Sequence, residues 1–208
     1  MVRRFLLGLS CCLVLASAAS AKPLELTEAQ KGLIDQASGY LSTLGQVYGR
    51  FSQVDAYGSQ TSGRYAIRRP GRARFQYDAP SGLLVVADGH NVSIYDQRLK
   101  TFDQYPEWAT PLGLFLAKTV RLDKSVEVTK VTETDAVFGV TLRDRGHHAE
   151  GAIELRFRKA PLTLVGWAIT DGQGQVTQVR LDSMETSADL DTAQFKLRDP
   201  RPRRTESN

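Results

Sequence analysis

The chain has 208 residues, 27 Lys and Arg against 23 Asp and Glu, two cysteines and 41% hydrophobic residues. That length suits one domain with a sizeable core, and the small basic excess does not argue for nucleic acid. Both cysteines, Cys11 and Cys12, lie in the first twelve residues. A disulfide framework, a thiolate zinc site and thiol catalysis in the rest of the chain are therefore excluded.

Residues 1–21 read as a cleaved secretory signal. Arg3 and Arg4 form a basic start, Phe5 to Leu15 is an apolar run too short to span a bilayer comfortably, and Ala19-Ser20-Ala21 fits an A-x-A cleavage site. The mature chain is expected to start at Lys22. Acylation at Cys11 or Cys12 competes with this reading, but Gly8-Leu9-Ser10 is a poor lipobox. Removal of Arg3 and Arg4 takes 27 basic residues to 25 against 23 acidic ones, a net charge of +2.

Thr27 to Tyr48 reads as an amphipathic helix. Leu33, Ile34, Ala37, Tyr40, Leu41, Leu44 and Val47 recur at three and four, with Thr27 as N-cap and Gln30 in the capping-box position. Gly32, Gly39 and Gly45 each cost about 1 kcal/mol against alanine, which fits either close packing on a sheet or a helix not built for maximal stability. From Val47 onward the period changes to two.

A meander of strands follows. Gly63, Tyr65, Ile67 and Arg69 share one strand face, and Pro70 ends that ladder. Ala73, Phe75 and Tyr77 share one face of the next strand, with Arg72, Arg74, Gln76 and Asp78 opposite. Ala79-Pro80-Ser81-Gly82 turns the chain, Leu83 to Asp88 is apolar on both faces, and Asp88-Gly89 signals a hairpin into Val92–Asp96. Arg69 is the odd member of its face: either it snorkels to water at a strand end, or it donates at the rim of an apolar cavity. The basic run Arg64, Arg68, Arg69, Arg72 and Arg74 reads as a solvated outer face, or else as a docking patch for anionic headgroups or an acidic protein.

Leu99 to Tyr105 reads as another strand. Pro111 then opens the short, wholly apolar helix candidate Leu112–Ala117, which must be buried or must cover something apolar. Thr119 to Ser125 is polar and turn-like. Strands are expected at Val126–Thr132, Ala136–Leu142, around Ile153, Leu155 and Phe157, at Pro161–Thr170 and at Gln175–Ser183, and residues 199–208 read as a flexible polar tail. The fold class is α+β and β-dominated, with roughly ten strands; composition alone gives a β-rich sandwich or barrel, and a strongly curved antiparallel sheet forming an incomplete β-barrel, with helices in its mouth, is the natural solution. The domain boundaries are 1–21 signal, 22–198 one domain, 199–208 tail.

A catalytic set is not evident. His90 sits in a turn, and His147 and His148 are adjacent in a charged loop; adjacent residues on a strand point to opposite faces, so the pair is poorly placed to share a metal. The sequence has no G-x-S-x-G elbow and no phosphate loop. The residues imply no enzyme, no cofactor and no metal.

The ordered set Phe51-Ser52-Gln53, Gly63, Arg69-Pro70, Arg74-Phe75-Gln76-Tyr77, Pro80, Asp88-Gly89, Tyr95-Asp96 and Leu99 resembles the periplasmic outer-membrane lipoprotein carrier family (LolA). The family often has Trp where this chain has Phe75 and Ser93, and Gln near Thr101. The resemblance implies an open barrel with a helical lid, whose interior shields lipoprotein acyl chains. It implies an inner-membrane ABC-type transporter as donor, an outer-membrane receptor as acceptor, a periplasmic location and a monomer. Arg69 becomes the latch that donates to lid carbonyls. The expected lining is Tyr65, Ile67, Ala73, Phe75, Tyr77, Leu83, Val85, Val92 and Ile94, with lid residues Leu114, Phe115 and Leu116. Two alternatives stay open: a periplasmic sensor domain of envelope-stress signalling, and a carrier for another lipid.

Overall fold

The computed structural model describes residues 25–118, 126–146, 150–187 and 189–201. The signal segment, Thr119–Ser125, His147, His148 and residues 202–208 of the tail lie outside the described residues.

Helix α1 spans Glu28–Thr43. Its capping box is reciprocal: the Gln30 N–H donates to Thr27 Oγ1 at 3.3 Å, and the Thr27 N–H donates to Gln30 Oε1 at 3.0 Å. The helix ends five residues before Tyr48, the end expected from its periodicity. Leu44 is already extended, its N–H closing on the Tyr40 carbonyl at 2.9 Å. Val47 suits either period, and the alternation of Gln46–Val54 decides for strand. Gly32 and Gly39 have open space where a Cβ would stand, so neither serves close packing.

The strands are β1 (Gln46–Val54), β2 (Gln60–Arg68), β3 (Arg72–Tyr77), β4 (Leu83–Asp88), β5 (Asn91–Asp96), β6 (Thr101–Pro106), β7 (Val126–Glu133), β8 (Val137–Asp144), β9 (Ala152–Lys159), β10 (Leu162–Thr170), β11 (Val176–Leu181) and β12 (Glu185–Thr186). There are thus twelve described strands rather than about ten. Leu99, expected in β6, lies exposed in the turn before it.

All pairings are antiparallel, in the order β6-β5-β4-β3-β2-β1-β11-β10-β9-β8-β7, with β12 pairing β1. Two meanders are therefore joined where β1 meets β11, and β6 and β7 end the order without pairing each other. The sheet is curved and unclosed. Its concave face carries a continuous apolar core with both meanders represented, from Phe51, Tyr65, Ile67 and Phe75 to Val140, Leu155, Phe157 and Trp167. Helix α1 lays Leu33, Ile34, Ala37 and Leu41 on this core, and Tyr40 meets Phe157 edge-on at 5.9 Å.

Gly63 makes the curvature possible on one row. A Cβ there would lie 2.7 Å from the Phe51 ring and 2.3 Å from the Gln76 carbonyl oxygen. With no side chain at Gly63, Phe51 fits beneath the β2–β3 pair.

The convex face of the first meander is covered as well. Ala66, Arg74, Val86 and Ser93 form one cross-strand row, over which runs a strap ending in a 3-10 turn at Thr192–Phe195. Phe195 is buried. Arg68 donates to the Leu190 carbonyl at 3.1 Å and to Thr192 Oγ1 at 2.6 Å, and Arg74 to the Gln194 carbonyl at 3.1 Å. The apolar residues on both faces of Leu83–Val86 are explained: Val85 meets the core, and Leu84 and Val86 are buried on the opposite face, which the strap covers in part. The basic run is accordingly not uniformly solvated, since two of its arginines hold the strap.

Candidate functional site

The expected lining residues fall on one face in register. Tyr65, Phe75, Val85 and Ile94 stand side by side across β2 to β5, and Ile67, Ala73, Ala87 and Val92 form the next row. Tyr77 sits opposite Gly63. Tyr65, Ile67, Ala73, Phe75 and Val92 are buried, while Tyr77, Val85 and Ile94 are half-buried against the same core. Leu83 shares this face but stands outside the packed cluster, near the β3–β4 turn.

Two polar ties are built into the apolar face. The Tyr65 hydroxyl donates to the Ser183 carbonyl at 2.9 Å, and the Tyr77 hydroxyl to Gln53 Oε1 at 2.6 Å. Burial raises both phenol pKa values, that of Tyr77 to about 12.

The lid begins with a 3-10 turn at Glu107–Ala109 and continues as helix α2, Pro111–Leu116. Thr110 caps it, accepting the Gly113 N–H at 3.2 Å, with Pro111 in the first turn where no amide is needed. Phe115 and Leu116 are 0% exposed and Leu112 is 8% exposed, while Leu114 is half-buried. The i, i+3, i+4 spacing puts Leu112, Phe115 and Leu116 on the inward face, and Leu114 packs half-buried against the same core, so Leu112 joins the three expected lid residues.

Phe115 enters an aromatic series across the interior. Its ring stacks on Trp167 with centroids 5.8 Å apart, Trp167 meets Phe75 edge-on at 5.7 Å, and Phe75 meets Phe51 at 5.6 Å. Trp167, Phe51 and Phe157 were not among the expected lining residues. The clean alternation of Ile153, Leu155 and Phe157 was a usable signal that the second meander shares the face.

Arg69 lies where the lid, α1 and the β2–β3 turn meet. Its Nη1 donates to the Leu41 carbonyl of α1, and its Nη2 donates to the Ala117 carbonyl at the end of α2 at 2.7 Å. The guanidinium also lies 5.8 Å from the Phe115 ring centroid. Two residues on, the Gly71 N–H donates to the Leu116 carbonyl at 2.9 Å. Gly71 has φ +74°, a conformation that suits glycine. Burial draws the Arg69 pKa below its usual value, but an arginine remains charged. Its Nε is buried without a partner, and among the described residues no carboxylate pairs with the guanidinium. Among the described residues the cation is held by carbonyl dipoles and the face of the Phe115 ring, a favourable arrangement at the carbonyl end of a helix and one without a strong ion pair.

The arrangement is a curved apolar face filled by its own lid, with a small set of hydrogen bonds at one rim. Among the described residues, no group of three or more His, Cys, Asp or Glu side chains could hold a metal ion, and no helix is long and apolar enough to cross a membrane. Separately, a groove of about 1130 Å³ is lined by charged residues such as Asp78, Arg98, Arg156 and Arg180 together with apolar ones such as Val54, Pro80 and Val179. It is built largely from residues of the convex face and does not coincide with the lidded interior.

A family model described as outer membrane lipoprotein carrier protein LolA matches residues 42–198. The chain belongs to this family. Among its curated relatives, the outer-membrane lipoprotein carrier protein of Halorhodospira halophila is 29% identical over 184 residues, covering 85% of this chain and 86% of the relative. That of Azotobacter vinelandii is 28% identical over 198 residues, covering 90% and 94%. The crystal structure of a LolA-superfamily protein of Nitrosomonas europaea aligns with a TM-score of 0.45 at 9% identity, over 80% of this chain and 97% of that one. Several residues that carry the family resemblance now have physical roles: Gln53 accepts the Tyr77 hydroxyl, Gly63 admits Phe51, and Arg69 binds the lid.

Proposed function

We propose that this protein is a periplasmic carrier, not an enzyme, that takes the acyl chains of lipoproteins released from the inner membrane and delivers them to an outer-membrane receptor. The donor in this reading is an ABC-type lipoprotein-releasing transporter. The cargo-binding unit is residues 22–198, working as a monomer after loss of residues 1–21. The observation that carries the reading is the lid: Leu112, Phe115 and Leu116 fill an apolar interior and are fastened by carbonyl bonds from Arg69 and Gly71.

The energetics suit a carrier. Each buried methylene contributes about 0.8 kcal/mol, so a sixteen-carbon chain offers on the order of 10 kcal/mol. An open pocket would hold that cargo too firmly for release, or would expose apolar surface when empty. Here the lid occupies the space itself. Cargo must displace about three apolar side chains, each contributing roughly 1.5–3 kcal/mol, and must break the Arg69 bonds. Net affinity is the difference, which leaves binding reversible. Acyl chains would then lie along Tyr65, Phe75, Val85 and Ile94, and Arg69 would act as the latch.

The test uses protein from Lys22 onward, mixed with membranes that hold a triacylated lipoprotein and the transporter, plus ATP. The expected result is soluble lipoprotein in a one-to-one complex. Lipoprotein that stays in the membrane, while the same transporter releases it to its own carrier, overturns the proposal.

A further inference from the structure

The lid has a second seat, at its base. The Glu107 N–H donates to the His90 carbonyl at 2.8 Å, and the Glu107 carbonyl accepts the Thr110 N–H at 3.0 Å. Its carboxylate turns inward, towards the turns at Gly71 and Gly89. It accepts a backbone hydrogen bond from Gly89. Its two oxygens lie 3.6 and 3.8 Å from the point where a Cβ on Gly71 would stand. Oε2 is shut off from solvent and has no hydrogen-bond partner among the described residues.

The charged and titratable groups around this seat come from two turns. The β4–β5 turn contributes Asp88 and His90. Asp88 Oδ1 is already occupied by the His90 and Asn91 N–H groups. The β2–β3 turn contributes Arg69, committed to the carbonyls of Leu41 and Ala117, and Arg72, which is paired in register with Asp88. Helix α2 is Pro-Leu-Gly-Leu-Phe-Leu and offers no charge. Among the described residues no cation forms an ion pair with Glu107. Gly71 links the two seats, since its N–H holds the Leu116 carbonyl while its Cα faces the Glu107 carboxylate.

We propose that Glu107 is a proton-operated catch for the lid: as a neutral acid it keeps the lid base seated on the Gly71 and Gly89 turns, and as a carboxylate it favours release of the base to water. A buried oxygen without a partner is tolerable in an acid and costly in an anion. Burial raises the Glu107 pKa from 4.5 to about 7. Asp88 adds to the rise, and the Gly89 N–H opposes it. In the open lid the side chain reaches water and titrates in the ordinary carboxylate range. The closed form therefore binds the proton more tightly. Closure is most favoured below that ordinary range, weakens as pH rises through about 7 and is constant above it. A separation of about two and a half pKa units corresponds to a change of up to about three-hundredfold in the closed-to-open ratio.

This inference rests on the lid being openable, which the experiment checks separately. Binding of N-phenyl-1-naphthylamine, an apolar dye that stays uncharged in the range used, is measured between about pH 5 and 8. In the wild type, dye affinity is expected to rise at least tenfold, with a midpoint near pH 7. Glu107→Gln should stay at the weak, acid-like level at every pH, and His90→Asn should keep the wild-type profile. A wild-type profile in Glu107→Gln, a midpoint lost in His90→Asn, or pH-independent binding to the wild type overturns the catch while leaving an openable interior. Dye that binds neither the wild type nor Arg69→Leu removes the openable interior, and both readings with it.

Discussion

Phe115 of the lid and Trp167 of β10 stack with ring centroids 5.8 Å apart and planes 25° from parallel. The contact joins the lid to the second meander, whereas Arg69 and Gly71 join it to the first. A closed lid therefore bridges the two halves of the unclosed sheet. Phe115→Ala removes a fully buried ring, a change that typically costs about 3–5 kcal/mol. The expected result is a lower thermal midpoint together with red-shifted emission from Trp167, read in a Trp108→Phe background so that one tryptophan remains. Unchanged emission would mean that the ring does not hold Trp167 away from water.

The Tyr77 hydroxyl and Gln53 Oε1, 2.6 Å apart, tie β3 to β1 across Gly63. Tyr77 resists ionisation until about pH 12, against an ordinary value of 10.0, because burial disfavours the phenolate. The folded form thus binds this proton more tightly than the unfolded chain. The contribution of the buried neutral phenol, which the Gln53 hydrogen bond partly offsets, is intact below about pH 10 and is lost progressively as pH rises from there to about 12. Tyr77→Phe should cost about 1 kcal/mol at neutral pH, because the Gln53 oxygen loses its donor. It should also make urea-unfolding stability fall less steeply on the alkaline side. An alkaline slope equal to the wild type's would assign the sensitivity to other groups, Tyr65 first.

The first meander was legible because its strands alternate without interruption and end at Gly and Pro turns, so the faces of Tyr65, Phe75 and Arg69 follow from parity. Trp167 was not legible, for a geometric reason. Leu164 and Trp167 both point inward although they are three residues apart, because the register shifts between Leu164 and Gly166. A bulge of this kind breaks period-two reading, and Leu162–Thr170 is too uniformly apolar to reveal it. The end of α1 at Thr43 is hidden in the sequence because Leu44 and Val47 continue a spacing of three that helix and strand both accommodate. Phe195 stands alone in the polar run Asp191–Lys196, so no periodicity announces that it is buried. In the lid, composition showed that the helix must be covered, but only the packing distinguishes Leu112 from Leu114.

The strap is held by the Phe195 ring, by three carbonyl or hydroxyl contacts from Arg68 and Arg74, and by Gln46, whose Oε1 accepts the Leu190 N–H at 2.8 Å. Phe195→Ala should expose Val86 and Leu84 on the convex face and lower stability by about 3 kcal/mol. Arg74→Ala should cost less, about 1 kcal/mol, because it loses the hydrogen bond to the Gln194 carbonyl and a longer, exposed one to Gln76 Oε1. Hydrogen exchange then locates the effect: faster exchange across β3 to β5 is expected with Phe195→Ala. Unchanged exchange there would mean that the strap adds nothing to the meander beneath it.

Gly39 sits in the interior of α1, exposed, with open space where a Cβ would be. Gly39→Ala should raise stability by about 0.5–1 kcal/mol, because it lowers the entropy of the unfolded chain without a clash. Gly63→Ala is the contrasting case, since its Cβ would meet the Phe51 ring and the Gln76 carbonyl. Paired thermal melts check both: Gly39→Ala should shift the midpoint upward and Gly63→Ala strongly downward. A downward shift for Gly39→Ala would show that α1 needs flexibility there.

Arg69 serves two helices at once, so its substitution separates charge from shape. Arg69→Leu keeps an apolar stem beside Phe115 but removes the donors to Leu41 and Ala117, leaving two carbonyls at the closed rim without partners. Closure should weaken by about 1.5–3 kcal/mol, the usual worth of hydrogen bonds from a charged group. On the carrier reading, the lid then competes less well with acyl chains: pickup survives, cargo is retained and transfer to the receptor fails. Arg69→Lys keeps the charge but cannot span both carbonyls with a planar fork, so it should be intermediate, with pickup intact and transfer slowed. Transfer assays on preloaded protein read the difference directly. Normal transfer by Arg69→Leu would show that closure is driven by Phe115 and Leu116 alone, and that the two carbonyl contacts only position the side chain.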